Sequence, residues 1–144
     1  MSMKDALNMF NSAQAITATA DATNCIDLKA AGLLGTGRPL QVVIHVDVAA
    51  DGTTTDETYS FAVTTDDNAA LSSDTTIVSK TIPYSALTLN SLHVIDIPEN
   101  VATERYLGLV ATLGGTTPSI TYTAWLCEKG STPSFFKAPA GFVA

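Results

Sequence analysis

Residues Leu40–Val48 read LQVVIHVDV, and this segment decides the fold class. Apolar residues at positions 40, 42, 44, 46 and 48 alternate with Gln41, Val43, His45 and Asp47. Successive side chains of a β-strand point to opposite faces, so the pattern predicts a strand with one face in a hydrophobic core. The proline directly before it stands where a strand tolerates one.

The same alternation recurs along the chain. Residues 49–56, rich in Gly and Thr, are predicted to be a hairpin loop after the first of these strands, and residues 114–118 are predicted to be a turn. The total is about eight strands separated by turn residues, which predicts two packed antiparallel sheets in a jelly-roll-like sandwich. A closed barrel is the alternative. The other predicted strands cover residues 15–20, 24–28, 59–64, 75–82, 92–97, 105–113 and 120–126.

Both ends of the chain depart from this pattern. Leu7 and Phe10 are three residues apart, which predicts a short helix over Met3–Phe10. Residues 128–144 contain two prolines and three phenylalanines, which favours an extended arm over a helix or a central strand. We therefore divide the chain into a domain of residues 1–127 and an arm of residues 128–144. The arm either docks its rings on a partner or packs back on its own domain.

The composition combines few charges with a large apolar fraction. The chain has 144 residues, 46% hydrophobic and 15% charged, so it can build one core without a disulfide or metal. The formal net charge of −7 repels phosphate and anionic lipid, and we expect no nucleic-acid and no membrane partner. The first residues have no long apolar run, so we expect no signal peptide and synthesis in the cytoplasm.

Two segments invite a chemical interpretation, and each has a simpler structural explanation. His45 and Asp47 share one strand face, but no third group lies near them in sequence, so we favour a polar surface over metal binding or acid–base chemistry. The glycines Gly32, Gly35 and Gly37 lead into a strand and not into a helix. A phosphate-binding loop requires the helix, so this segment is predicted to be a turn.

The densest carboxylate cluster is Asp66–Asn68 with Asp74. Its spacing matches no calcium loop, and we favour a turn whose Asp and Asn side chains accept backbone hydrogen bonds. Cys25 and Cys127 have no zinc-site spacing and no evident base, so we favour free thiols over a disulfide. The sequence therefore predicts no catalytic residue, no metal and no cofactor, and we expect the protein not to be an enzyme.

Trp125 is the one tryptophan, and its position in a predicted strand is informative. It has the opposite parity to the apolar set of Ile120, Tyr122, Ala124 and Leu126, so it points away from the core. An outward Trp would be an anchor for a partner subunit. A core Trp in a strand buried on both faces is the alternative.

Five segments carry a resemblance to a known family: FNSAQAIT (10–17), TNCIDL (23–28), TTDDN (64–68), SSDTT (72–76) and TERYLGL (103–109). From about residue 5 to residue 127, the chain resembles the small capsid cement proteins, or decoration proteins, of short-tailed bacteriophages. The resemblance implies a jelly-roll-like sandwich that forms homo-oligomers, a dimer first and a trimer second. It also implies a place on the outside of an icosahedral shell, across junctions between major capsid proteins.

The sequence and the resemblance together predict a structural virion protein that stabilises contacts between major capsid subunits. The alternative is a carbohydrate-binding or adhesion module on a virion surface, which would use exposed rings such as Tyr59, Tyr106 or Trp125. The residues expected to contact the capsid or a second subunit are Phe10, Trp125, Phe135, Phe136 and Phe142.

Overall fold

The structure is a computed structural model that describes residues 8–34, 37 and 39–129. The described part is all-β and contains eleven strands, with a 3-10 turn at Tyr84–Ala86. The strands are β1 (Met9–Ile16), β2 (Ala20–Asp21), β3 (Ile26–Asp27), β4 (Gly32–Leu34), β5 (Leu40–Val48), β6 (Thr58–Asp66), β7 (Thr75–Pro83), β8 (Leu92–Ile97), β9 (Val101–Thr103), β10 (Tyr106–Gly114) and β11 (Ile120–Glu128).

Nine of the strands form two antiparallel sheets. The first sheet has the order β1-β11-β5-β8, and the second has the order β2-β10-β6-β7 with β3 beside β10. The pairing is nested, because β1 pairs with β11 and β2 with β10, while β5 pairs with β8 and β6 with β7. The short strands β4 and β9 pair with each other. An open sandwich of two sheets is therefore observed in the described part, and not the closed barrel.

The two sheets share one hydrophobic core. Phe61 of the second sheet and Tyr122 of the first meet edge to face, with ring centroids 5.3 Å apart and planes at 72°. Such a contact between sheets adds about 0.5–1.5 kcal/mol beyond the area that the rings bury. Fully buried members of the core include Phe10, Val42, Ile44, Val46, Tyr59, Phe61, Val63, Leu107, Leu109 and Tyr122.

The predicted N-terminal helix is wrong where the structure describes it. Met9 and Phe10 begin β1, and Met9 pairs with Trp125 of β11. Residues 3–7 of that prediction lie outside the described residues. Leu7 and Phe10 have helical spacing, but the segment from Met9 onward pairs with β11. The amide of Ala124 in β11 donates to Asn11, 113 residues away in the sequence, and this pairing fixes the segment as a strand. Two spaced residues are too weak a signal to outweigh that pairing.

The predicted hairpin at residues 49–56 is also wrong. β5 and β6 lie in different sheets, so the segment between them crosses from one sheet to the other. The turn at residues 114–118 makes the same kind of crossing between β10 and β11. Alternation in the sequence identifies strands, but it does not say which strands pair.

Candidate interaction surfaces

One end of the sandwich is built from the segments 49–57, 84–91 and 115–119, and we call it the loop end. Segments 49–57 and 115–119 are joined by hydrogen bonds to the buried side chain of Tyr59. Its hydroxyl donates to the carbonyl of Asp51 at 2.8 Å and accepts from the N–H of Ser119 at 3.1 Å. Burial raises the pKa of Tyr59, which keeps the hydroxyl protonated as a donor.

The loop end carries three carboxylates. Asp56 accepts from the hydroxyls of Thr54 (2.6 Å) and Thr116 (2.9 Å), and these and the Thr116 amide lower its pKa. Glu57 is 4% exposed and accepts the amide and the hydroxyl of Thr54, while its Oε2 has no hydrogen-bond partner among the described residues. Asp51 accepts from a neighbouring threonine hydroxyl. The ion pairs found in the described part all involve other acids, so this end is negatively charged.

Two large apolar side chains are exposed at the loop end, on segments that are hydrogen-bonded to each other. Val48 is 57% exposed and Leu89 is 60% exposed. Hydrogen bonds from Asn90 to the carbonyl of Val46 and from Ala50 to the carbonyl of Leu87 flank them and hold the two segments together. We call Val48 and Leu89 the apolar pair. Sequence alternation missed it, because it counted Val48 with the buried set of its strand.

The predicted contact residues lie in different environments. Phe10 is fully buried in the central core, so its ring contacts its own subunit and offers no surface to a partner. Trp125 points away from the core, as its parity predicted, but it is 2% exposed. It is therefore not an open anchor, and the strand is buried on both faces at this position. Phe135, Phe136 and Phe142 lie outside the described residues, and their role stays a prediction.

The aromatic residues considered for sugar binding are not available as a set. Tyr59 and Trp125 are buried, and Tyr106 lies under the guanidinium of Arg105, which is 5.1 Å from the ring centroid. Arg105 also forms hydrogen bonds of 3.0 and 3.1 Å with both carboxylate oxygens of Asp27, which hold the pKa of that carboxyl far below its usual range. The arrangement ties β3 to β10.

His45 and Asp47 do share a strand face, and the structure adds a third residue to them. Nδ1 of His45 is 3.1 Å from Oδ1 of Asp47, and the hydroxyl of Thr123 donates to Oδ2 of Asp47 at 2.6 Å. Thr123 in turn accepts from the amide of Ala13 at 2.8 Å. The hydroxyl of Thr123 donates its proton to the carboxylate of Asp47, so these hydrogen bonds have a structural role and link β5, β11 and β1.

The cluster at Asp66 is a capped turn, as the sequence predicted. The two carboxylate oxygens of Asp66 accept hydrogen bonds from the amides of Ser73 at 2.9 Å and Asn68 at 3.2 Å, and these bonds lower the pKa of Asp66. The structure also brings in Glu104, whose carboxylate lies with those of Asp66 and Asp67 within 4.8 Å. Glu104 is far from Asp66 in the sequence, so the spacing of the acidic residues could not reveal it. The carboxylate of Asp66 already accepts the hydrogen bonds of the turn.

The glycines and cysteines lie in ordinary surroundings where the structure describes them. Gly32 is in β4 and Gly37 in a turn, while Gly35 lies outside the described residues. Cys25 and Cys127 are not joined by a disulfide, as expected, and Cys25 lines an open cleft with Met9, Ile26 and Leu126. None of the helical turns in the described part is long and apolar enough to cross a membrane.

The fold and its surfaces define a class, an all-β sandwich with an acidic, partly apolar loop end. A family model, Bbp16, matches residues 10–124. That match covers most of the chain, and the protein belongs to the Bbp16 family. No curated protein matches the chain.

Proposed function

We propose that this protein is a structural virion protein that binds the outside of an icosahedral phage capsid and stabilises contacts between major capsid protein subunits. The loop end carries the proposal, because it presents the apolar pair of Val48 and Leu89 on segments that are held by internal hydrogen bonds. Adjacent exposed apolar side chains are a common feature of protein-binding surfaces. The resemblance to phage cement proteins supports the same function.

The strand order supports this proposal as well. Nested pairing of β1 with β11, β2 with β10, β5 with β8 and β6 with β7 is the connectivity of an eight-stranded jelly roll. The resemblance implies that fold. The short strands β3, β4 and β9 are additions to it.

The mechanism that we propose needs no reacting group. A protein that binds assembled subunits better than separated ones shifts the equilibrium toward assembly. Apolar area contributes roughly 25 cal/mol per Å² on burial, so a small patch gives a modest gain at each site. Homo-oligomers bind through several sites at once, and avidity multiplies that gain. We propose a dimer first and a trimer second, on the outer capsid surface after synthesis in the host cytoplasm.

The carboxylates of the loop end define the matching partner surface. Asp51 and Asp56 place negative charge on the same end of the sandwich as the apolar pair. A capsid surface with basic side chains around an apolar patch would be complementary to it. Binding should then weaken as the salt concentration rises, since exposed charges are screened.

A reconstitution experiment tests the proposal. Capsids that lack this protein are mixed with the purified wild type, and bound protein and capsid melting temperature are measured. The variant Val48→Ser/Leu89→Ser should bind at least tenfold more weakly. Leu33→Ser is the matched control, because Leu33 is 63% exposed on β4, away from the loop end, and this variant should bind as the wild type does. Wild-type protein that neither binds nor stabilises such capsids would refute the function.

A further inference from the structure

One hydroxyl at the loop end is shared between two carboxylates. Oγ1 of Thr54 lies 2.6 Å from Oδ1 of Asp56, and it also contacts Oε1 of Glu57. A threonine hydroxyl has one proton, so it can donate to only one of these oxygens at a time. The other contact then sets a lone pair of the hydroxyl against a carboxylate oxygen. Such an arrangement requires a cation or a further proton in the cluster.

The carboxylate of Glu57 has a second unmet requirement. Glu57 is 4% exposed, and its Oε2 is shielded from solvent and has no hydrogen-bond partner among the described residues. Oε1 of the same carboxylate accepts from the amide of Thr54 at 3.1 Å, so the whole group lies within the cluster that Thr54 forms with Asp56. A buried carboxylate without a counter-charge is strongly unfavourable, and proteins pair such groups or use them to bind a metal.

The basic side chains of the described part do not supply that counter-charge. Lysine and arginine occur four times among the described residues, and each of these side chains binds elsewhere. Lys29 and Arg105 bind Asp27, Lys80 donates to the carbonyl of Val94, and Lys129 lies beside Asp96. The negative charge of the cluster is therefore not balanced by these residues.

The atoms that converge on the cluster from both segments include several oxygen donors. The carbonyl of Thr116 lies 3.4 Å from Oγ1 of Thr54, and the hydroxyl of Thr116 donates to Oδ2 of Asp56 at 2.9 Å. Carboxylate, hydroxyl and carbonyl oxygens are the ligands of hard cations. Ca²⁺ accepts roughly six to eight oxygens in irregular geometry and completes its shell with water, whereas Mg²⁺ demands a near-ideal octahedron. The donor set therefore suits Ca²⁺ best.

We propose that Asp56 and Glu57, with the hydroxyl of Thr54 and the carbonyl of Thr116, form a Ca²⁺ site that joins the segments 49–57 and 115–119. The ion supplies the missing positive charge, and the hydroxyl of Thr54 can offer it a lone pair. The sequence predicted no metal, because Thr116 lies 60 residues from Asp56 and spacing could not bring them together. The inference does not rest on the capsid function, since the isolated protein should bind the ion.

Calcium titration of the full-length wild type tests the proposal. After divalent ions are removed with a chelator, equilibrium dialysis should show one bound Ca²⁺ with a Kd of about 10⁻⁴–10⁻³ M, the range of weak protein sites. At about 10 mM Ca²⁺ the melting temperature should then rise by about 4–8 °C above that of the chelated protein. Mg²⁺ at the same concentration should give less than half of this shift. A wild type that neither binds Ca²⁺ nor gains stability from it would overturn the proposal, and a shared proton would then balance the cluster.

Variants locate the site. Asp56→Asn and Glu57→Gln each keep the size of the side chain and remove one anionic ligand, so each should weaken Ca²⁺ binding at least tenfold and abolish the rise in melting temperature. Asp67→Asn/Glu104→Gln is the matched control, because these carboxylates cluster at the other end of β6, and it should bind as the wild type does. Loss of binding in the control alone would assign the ion to the cluster at Asp66 and refute the proposal. If Glu57→Gln fails to fold, Asp56→Asn decides in the same assay, since Asp56 is exposed.

Discussion

Gly115→Ala should destabilise the protein more than Gly37→Ala or Gly32→Ala. Gly115 has a φ of +91°, and a Cβ added there would lie 2.4 Å from the carbonyl oxygen of Asp56 and 2.7 Å from the Cα of Glu57. Both are backbone atoms, so no side chain can rotate away to relieve the contact. The substitution would push apart the segments 49–57 and 115–119 of the loop end.

The magnitude follows from two contributions. A left-handed conformation costs an L-residue about 1–2 kcal/mol, and overpacking typically costs about 1–3 kcal/mol. Gly115→Ala should therefore lower the free energy of unfolding by about 2–5 kcal/mol. For a chain of this size, each kcal/mol lowers the melting temperature by roughly 3 °C, so the expected drop is about 6–15 °C.

Two other glycines provide controls in the same assay, thermal and urea unfolding followed by circular dichroism. Gly37 has a φ of +72° but nothing within 4 Å of an added Cβ, so Gly37→Ala should show the conformational cost alone. Gly32 has neither feature, and Gly32→Ala should stay within about 0.5 kcal/mol of the wild type. If Gly115→Ala cost no more than Gly37→Ala, the packing of the two segments as described would be refuted.

Three further predictions concern charge and packing. The pKa of Asp66 is lowered by the amides of Ser73 and Asn68, so its contribution to stability is full above its unfolded pKa of about 3.9 and is lost as the pH falls through the folded value. The stability difference between the wild type and Asp66→Asn should thus shrink in acid urea titrations. Burial lowers the pKa of His93, so the wild type should lose stability as the pH falls below about 6.5, and His93→Gln should remove that slope in pH-dependent melting. Leu107→Ala, in the core, should cost about 2–5 kcal/mol in urea unfolding, whereas Leu89→Ala should change little.

Much of the strand pattern could be predicted from the sequence, because burial on one face leaves a period of two. The bounds of β5 and β8 match their predicted segments. The start of β1 was not predicted, because Met9 and Phe10 form a strand by pairing with β11, which is far away in the sequence. Segment 49–56 was misassigned for the same reason, since a loop of that composition suits a hairpin and a crossing between sheets equally well.

The surfaces were harder to predict than the strands. The parity of Trp125 in its strand was correct, but its burial depends on what covers the sheet, and alternation carries no information on that. Glu104 reaches Asp66 through the fold and not through spacing. Val48 follows the buried pattern of β5 yet extends beyond the core, so the exposed apolar pair becomes visible once the ends of the sheets are known.

The nested pairing has a consequence for how the chain folds. β1 cannot find its partner until β11 has been synthesised, and β2 must wait for β10. Contacts between such distant segments raise the contact order, and proteins of this kind fold in milliseconds to seconds. During synthesis the N-terminal strand is therefore an unpaired edge for most of the time that the chain is on the ribosome. A circular permutant that joins the two ends and opens the chain at residues 84–91 would make β1 and β11 neighbours in sequence, and it would in turn separate β5 from β8.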